Sequence, residues 1–241
     1  MEEYGALANP PIQQALIAVL VEPPQLLAKL GQIPSLLNKK YPVCEPINSR
    51  SVFLNMDAGD IKSVQGTQEG YALFSADRKK EITISTLNVA MRDGAKYKNG
   101  DHLINQYRDL WDAYVKHSKP TQLKRVGLRY VNQFFMTPSE AEKNLLIKPV
   151  VNFKGKSSLL LSGLMGQYAI RSDLYRANGN LVIVINPQPN DKLSITFDID
   201  VFDHDIPYVD FMSIKDTLNR LRGLKNKLFF DNIVDAKKRF K

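Results

Sequence analysis

A single cysteine, Cys44, stands in the whole chain. No internal disulfide can form, and no zinc site made of cysteines alone fits. A chain without disulfides suits a reducing compartment, so the cytoplasm is the expected location. Histidine is scarce too: His102, His117 and His204 are scattered, and no pair of them has metal-ligand spacing. Long apolar runs are missing. Stretches such as 181–185 are strand-length, far short of the roughly 20 residues of a membrane span. The opening Met1-Glu2-Glu3-Tyr4 is acidic and lacks the basic start of a signal peptide. There is no Gly-x-Ser-x-Gly nucleophile elbow, no Walker phosphate loop and no dinucleotide fingerprint. These absences weigh against several enzyme classes. They leave no residue assigned as catalytic and imply no cofactor and no membrane partner. Catalytic groups can still converge in space from unlinked positions.

What is present is an ordinary globular composition, 44% hydrophobic and 24% charged over 241 residues. That length buries a substantial core, as one domain or as two intimately packed halves. The net charge of +8 is distributed unevenly. From Ser213 to Lys241 there are nine Lys/Arg against three Asp, and from Asp191 to Asp210 six Asp against one Lys. A basic C-terminus suits nucleic acid or an acidic partner; it equally suits a solvated helix face.

Hydrophobic periodicity locates the elements. A short apolar strand covers 16–21, and Pro23-Pro24 ends it. Leu26, Leu27, Leu30, Ile33 and Leu37 recur at helical spacing, with a break expected at Pro34. Strands are expected at 51–56, 71–75 and 81–87, the last two antiparallel about a turn at 75–80. A helix follows from about Asn99 to His117, with Ile104, Tyr107, Trp111 and Tyr114 as one inward stripe. The central strand, 124–135, is the clearest of all. Thr137-Pro138-Ser139-Glu140 marks a turn of helix, and 145–153 reads as extended. A strand over 167–175 places Tyr168, Ile170 and Leu174 on one face. Asn178-Gly179 signals a hairpin, with 181–185 returning. Alternation over 193–201 is the cleanest half-buried strand. The last helix starts near Ser213, and Asp231 is expected to cap a final short helix.

The run from Phe74 to Val115, strand, turn, strand, loop and helix, is echoed from Ile185 to Phe229. This predicts an α+β fold of two similar halves, 1–136 and 137–241. Each would be an antiparallel sheet with one long helix packed on it.

Few residues stand out chemically. Asp198, Asp200, Asp203, His204 and Asp205 suggest an oxygen-rich metal site, or simply a solvated acidic strand face. In the central strand Val126, Leu128, Tyr130 and Asn132 share one face, and Gly127, Arg129, Val131 and Gln133 the other. Arg129 can pair with Asp198 or Asp200 and staple the halves, or together with Asn132 bind an anion. Arg220, Arg222, Lys225 and Lys227 on the last helix are candidate binding residues. Cys44, between Val43 and Glu45, reads as a small buried hydrophobe.

Val126-Gly127-Leu128-Arg129-Tyr130-Val131-Asn132 resembles the Leu-Gly-Leu-Arg-Tyr-Ile-Asn signature of the "sporadically distributed" family. These are uncharacterised proteins of about 250 residues from bacteria and mobile elements. Asn9-Pro10-Pro11-Ile12, the aromatic helix around Trp111, and Phe229-Phe230-Asp231 are similar to its start, middle and end. Val126 replaces the family's usual leucine, and Asp231 stands near its usual Glu. The resemblance implies no catalytic residues. It points to phage-defence, toxin–antitoxin or mobile-element settings, which is an association and not a mechanism.

The leading expectation is a non-enzymatic protein-binding or adaptor protein whose partner is another protein, or a second copy in a homo-oligomer. Two alternatives stay open. One is a nucleic-acid binder using the basic C-terminal helix; the other is a metal-dependent hydrolase at Asp198–Asp205.

Overall fold

Strand-forming sequence dominates the chain, and it closes into one broad antiparallel sheet. The computed structural model describes residues 4, 7–49, 51–55, 60–64, 66–94, 97–146 and 163–241. In β1 (Ile12–Glu22) alternate residues Ala15, Ile17, Val19 and Val21 are buried. Two short helices follow, α1 (Leu27–Leu30) and α2 (Ile33–Leu37). The expected break falls between them, and Pro34 occupies the first turn of α2, where a missing N–H costs nothing. Next come β2 (Val43–Asn48), β3 (Ser51–Asn55), β4 (Asp60–Val64), β5 (Gln68–Phe74), β6 (Lys80–Ser85) and β7 (Asn88–Asp93). Helix α3 (Gly100–His117) starts where Asn99 accepts a hydrogen bond from the His102 N–H. Strand β8 (Gln122–Met136) leads to α4 (Pro138–Asn144), which Thr137 and Glu140 open with a reciprocal capping box. Strands β9 (Leu164–Ser172), β10 (Ala177–Gln188) and β11 (Lys192–Ile206) precede α5 (Phe211–Phe230) and α6 (Ala236–Arg239).

Nine strands form the main sheet in the order β2-β5-β6-β7-β1-β8-β11-β10-β9, while β3 and β4 pair with each other. Every pairing is antiparallel. The mixed α+β class is therefore present. β8 lies between β1 and β11, so the sheet is continuous through the middle of the chain. A register shift between Leu20 and Val21 leaves Lys124 as an extra residue on β8. This bulge lets Leu123 and Val126 face the same side, and both are buried.

Among the described residues, buried side chains of the six helices join one core with one face of the sheet. The aromatic stripe of α3 points inward as expected: Tyr107, Trp111 and Tyr114 are buried. The Tyr107 hydroxyl donates to the Val89 carbonyl, and the Trp111 indole N–H to that of Val209. Among the described residues no helix is long and apolar enough to cross a membrane.

Several expectations need correction. Asn178 and Gly179 lie inside β10, paired with Phe202 and Val201, and the turn is at 173–176. The chain reverses there with Arg176 in the left-handed region (φ 46°), and Leu174 projects from the turn, 74% exposed. Asp231 ends α5 rather than starting a helix, and the final helix follows Asp235. Cys44 is exposed on the edge strand β2. The run from Phe74 to Val115 holds one strand more than the run from Ile185 to Phe229: β7, whose Val89, Ala90 and Met91 are all buried and so show no alternation. Most of the stretch 145–153 lies outside the described residues.

Candidate functional site

The two faces of the sheet differ in chemistry. On the face away from the helices, Arg129 Nε and Nη2 donate to Asp198 Oδ1 and Oδ2 at 2.8 and 2.5 Å. Arg125 Nη2 donates to both Asp200 oxygens at 2.9 and 2.8 Å, with its guanidinium 4.4 Å from the centre of the Phe202 ring. Arg92 Nε and Nη2 donate to Glu81 Oε2 at 2.9 and 2.7 Å. Each arginine on this face thus carries its own carboxylate. Arg125 reaches Asp200 by lying flat across Gly127, where an added Cβ would collide with the guanidinium.

Between these pairs lie Leu16, Ala18 and Leu20 of β1, Val131 of β8, and Val182 and Val184 of β10. All six are only half-buried, and none belongs to the core. Phe135 and Met165 stand farther out at 54% and 67% exposure.

The predicted site residues do not form one cluster. Arg129 takes the stapling option, joining β8 to β11 through Asp198. Asn132 is buried on the opposite, helix-covered face, and its amide donates to the Phe197 carbonyl at 3.1 Å. Arg220 is held by Asp203 Oδ2 at 2.6 Å and by the carbonyls of Tyr175 and Arg176, which anchors α5 to the β9–β10 turn. Arg222 Nη1 donates to Asp101 Oδ1 at 2.7 Å, joining α5 to α3. Lys227 pairs with Asp231 one turn on.

The acidic stretch is divided as well. Asp198 and Asp200 face away from the helices, while Asp203 points toward α5 and His204 bonds the Lys124 carbonyl. Among the described residues no three His, Cys, Asp or Glu side chains are grouped to hold a metal.

Of the four basic residues singled out on the last helix, Lys225 differs. Its ammonium lies 4.4 Å from the centre of the Tyr130 ring, and among the described residues no carboxylate meets it. The Tyr130 hydroxyl is 3.2 Å from that of Tyr97, and the rings meet edge to face. The surface of Lys225 as a whole is only half-buried, but its ammonium is crowded by protein. That desolvation, with the nearby Arg222 charge, pushes its pKa down to about 7. Burial raises the Tyr97 pKa, and raises that of Tyr130 well above its ordinary value. The sequence singles out Lys225 but not Tyr130 as its neighbour, nor Tyr97 behind it. Only the parity of Tyr130 on the buried face of β8 hinted at the meeting.

A separate cleft of about 270 Å³ lies between α2, α3 and β6. Leu37, Ile82 and Leu110 line it together with Lys40, Lys80 and Asp109. Its cations are already engaged, Lys40 with Asp109 and Lys80 with Asp93. Tyr41 at its wall is pushed up to about 12, by burial first and by Asp93 and Asp109 next.

No family model matches the chain, and no curated protein matches it. The resemblance to the sporadically distributed family rests on the motif residues alone.

Proposed function

We propose that this chain is a non-enzymatic binding protein that docks another protein on the helix-free face of its sheet. The observation that carries the reading is the pattern on that face: an apolar strip over β1, β8 and β10, bordered by arginines already neutralised by Asp198, Asp200 and Glu81. A phosphate backbone seeks uncompensated cations. A protein partner gains from apolar area framed by satisfied polar groups. This favours a protein over nucleic acid. On the basic helix α5, three of the five cations, Arg220, Arg222 and Lys227, are likewise paired within the fold.

We further infer that the chain arose by duplication, with the repeat beginning at β8 and not after it. Read outward from the centre, one half runs β1-β7-β6-β5 and the other β8-β11-β10-β9. In each, the strand beside the central one leads into the long helix, α3 or α5.

The test is native mass measurement on protein taken from its own host, comparing wild type with Ala18→Arg and Val131→Arg. A stoichiometric extra chain of different mass, lost in both folded variants, supports the reading. An extra mass equal to one more copy reassigns the face to self-association. Retention of the partner by both variants removes the face from the account.

A further inference from the structure

On the helix-covered side, the cleft between α2, α3 and β6 is separate from the docking face. Its apolar lining is Leu37, Ile82 and Leu110, the last two being buried members of the core. Tyr41 forms a wall. It is only 8% exposed, yet among the described residues its hydroxyl has no hydrogen-bond partner. A buried phenol ordinarily finds one. Nor is this hydroxyl sealed in protein, so the surface it keeps belongs to the cleft that Tyr41 lines.

The other polar groups around the cleft are engaged. Lys40 Nζ pairs with Asp109 at 3.1 Å, and Lys80 Nζ with Asp93 at 3.2 Å. The Gln106 amide oxygen accepts from Lys80 at 3.4 Å, and its nitrogen lies 2.9 Å from His102 Nε2. What is left over among the enclosed groups is donating capacity: the Tyr41 hydroxyl and one proton of the Lys80 ammonium. Two ammoniums face two carboxylates, so no uncompensated cation waits for an anion. The charges of Asp93 and Asp109 also act on Tyr41; they oppose negative charge at the hydroxyl and keep its proton in place.

Volume limits the guest. An apolar cavity of about 150 Å³ holds one benzene. At about 270 Å³ the cleft has room for roughly ten non-hydrogen atoms.

We propose that this cleft binds a small uncharged carbonyl compound. Its apolar body lies on Leu37, Ile82 and Leu110, and its carbonyl oxygen accepts a hydrogen bond from Tyr41. Burial of the body supplies affinity, and the hydroxyl fixes orientation. A hydrocarbon of the same shape would strip water from the hydroxyl and return no bond. A carboxylate of the same shape would meet the field of Asp93 and Asp109.

The experiment titrates the full-length protein with three planar probes of one shape: acetophenone, benzoate and α-methylstyrene. Methyl NMR reports on Leu37, Ile82 and Leu110. Acetophenone is expected to shift all three residues together, with a Kd of about 1 mM. Benzoate and α-methylstyrene should bind at least about threefold more weakly. Tyr41→Phe keeps the ring and its packing. It should weaken acetophenone by about three- to tenfold and leave α-methylstyrene no weaker. Shifts scattered over surface methyls, without these three residues, would overturn the proposal. So would tighter binding of benzoate, which would make the cleft an anion site, or an unchanged acetophenone Kd in folded Tyr41→Phe. None of these results bears on the helix-free face.

Discussion

Arg129 lies directly opposite Asp200 in the β8–β11 register, yet its two hydrogen bonds go to Asp198, one step along the same face. Asp200 is taken by Arg125. Each arginine thus reaches diagonally, and the central strands are laced twice. A double-mutant cycle on Arg129→Gln and Asp198→Asn should give a coupling of about 1 kcal/mol, limited by the half-exposed arginine. Chemical denaturation of the four proteins measures it.

Freeing those arginines should change what the face attracts. With Asp198→Asn and Asp200→Asn together, Arg125 and Arg129 lose their partners. The double variant should gain weak DNA binding that falls steeply with salt, by a larger margin than wild type shows. Fluorescence anisotropy over a salt series reads this out. Equal binding by both proteins would mean the pairs do not set the charge character of the face.

Two glycines keep space for neighbouring side chains. Gly127→Ala forces Arg125 off its bed and away from Asp200 and Phe202, at a cost of about 1–2 kcal/mol. In an Arg125→Ala background the same change should be nearly silent, since nothing is left to collide. Gly223 lies within α5, where alanine would ordinarily gain about 1 kcal/mol. Here an added Cβ would stand 2.6 Å from the Tyr175 ring. Gly223→Ala should therefore lower Tm, and thermal melts decide between propensity and packing.

Much of this was legible in the chain. Strict alternation exposed β8 and β11, and facing parity limited the partner of Arg129 to Asp198 or Asp200 without choosing between them. The α3 stripe read correctly because helical spacing of large aromatics has one economical solution. Other features were hidden for physical reasons. β7 is buried on consecutive residues, so it lacks a period of two. Asn178-Gly179 carries turn chemistry but is overridden by ladder bonds on both sides. The room that Gly223 leaves for a ring has no local signal, because Tyr175 is distant in sequence. The meeting of Lys225 with Tyr130 and Tyr97 depends on how α3 and α5 lie across one sheet, which no local pattern encodes.

Lys225 also makes a pH prediction. Its folded pKa is below the unfolded value, so its burial penalty is full below about pH 7, where both states are protonated. Above that, the unfolded chain holds the extra proton, and the penalty shrinks as pH rises toward 10.5. Lys225→Met should stabilise the protein most at pH 6, by a few kcal/mol on the order expected for a desolvated amine. The gain should fade by pH 10. Urea melts across pH give the sign directly.

Docking on the helix-free face is tested most directly by the native-mass comparison of wild type with Val131→Arg. The account predicts a stoichiometric complex with a different protein chain that the folded variant loses. The same complex at the same stoichiometry in both proteins would contradict it.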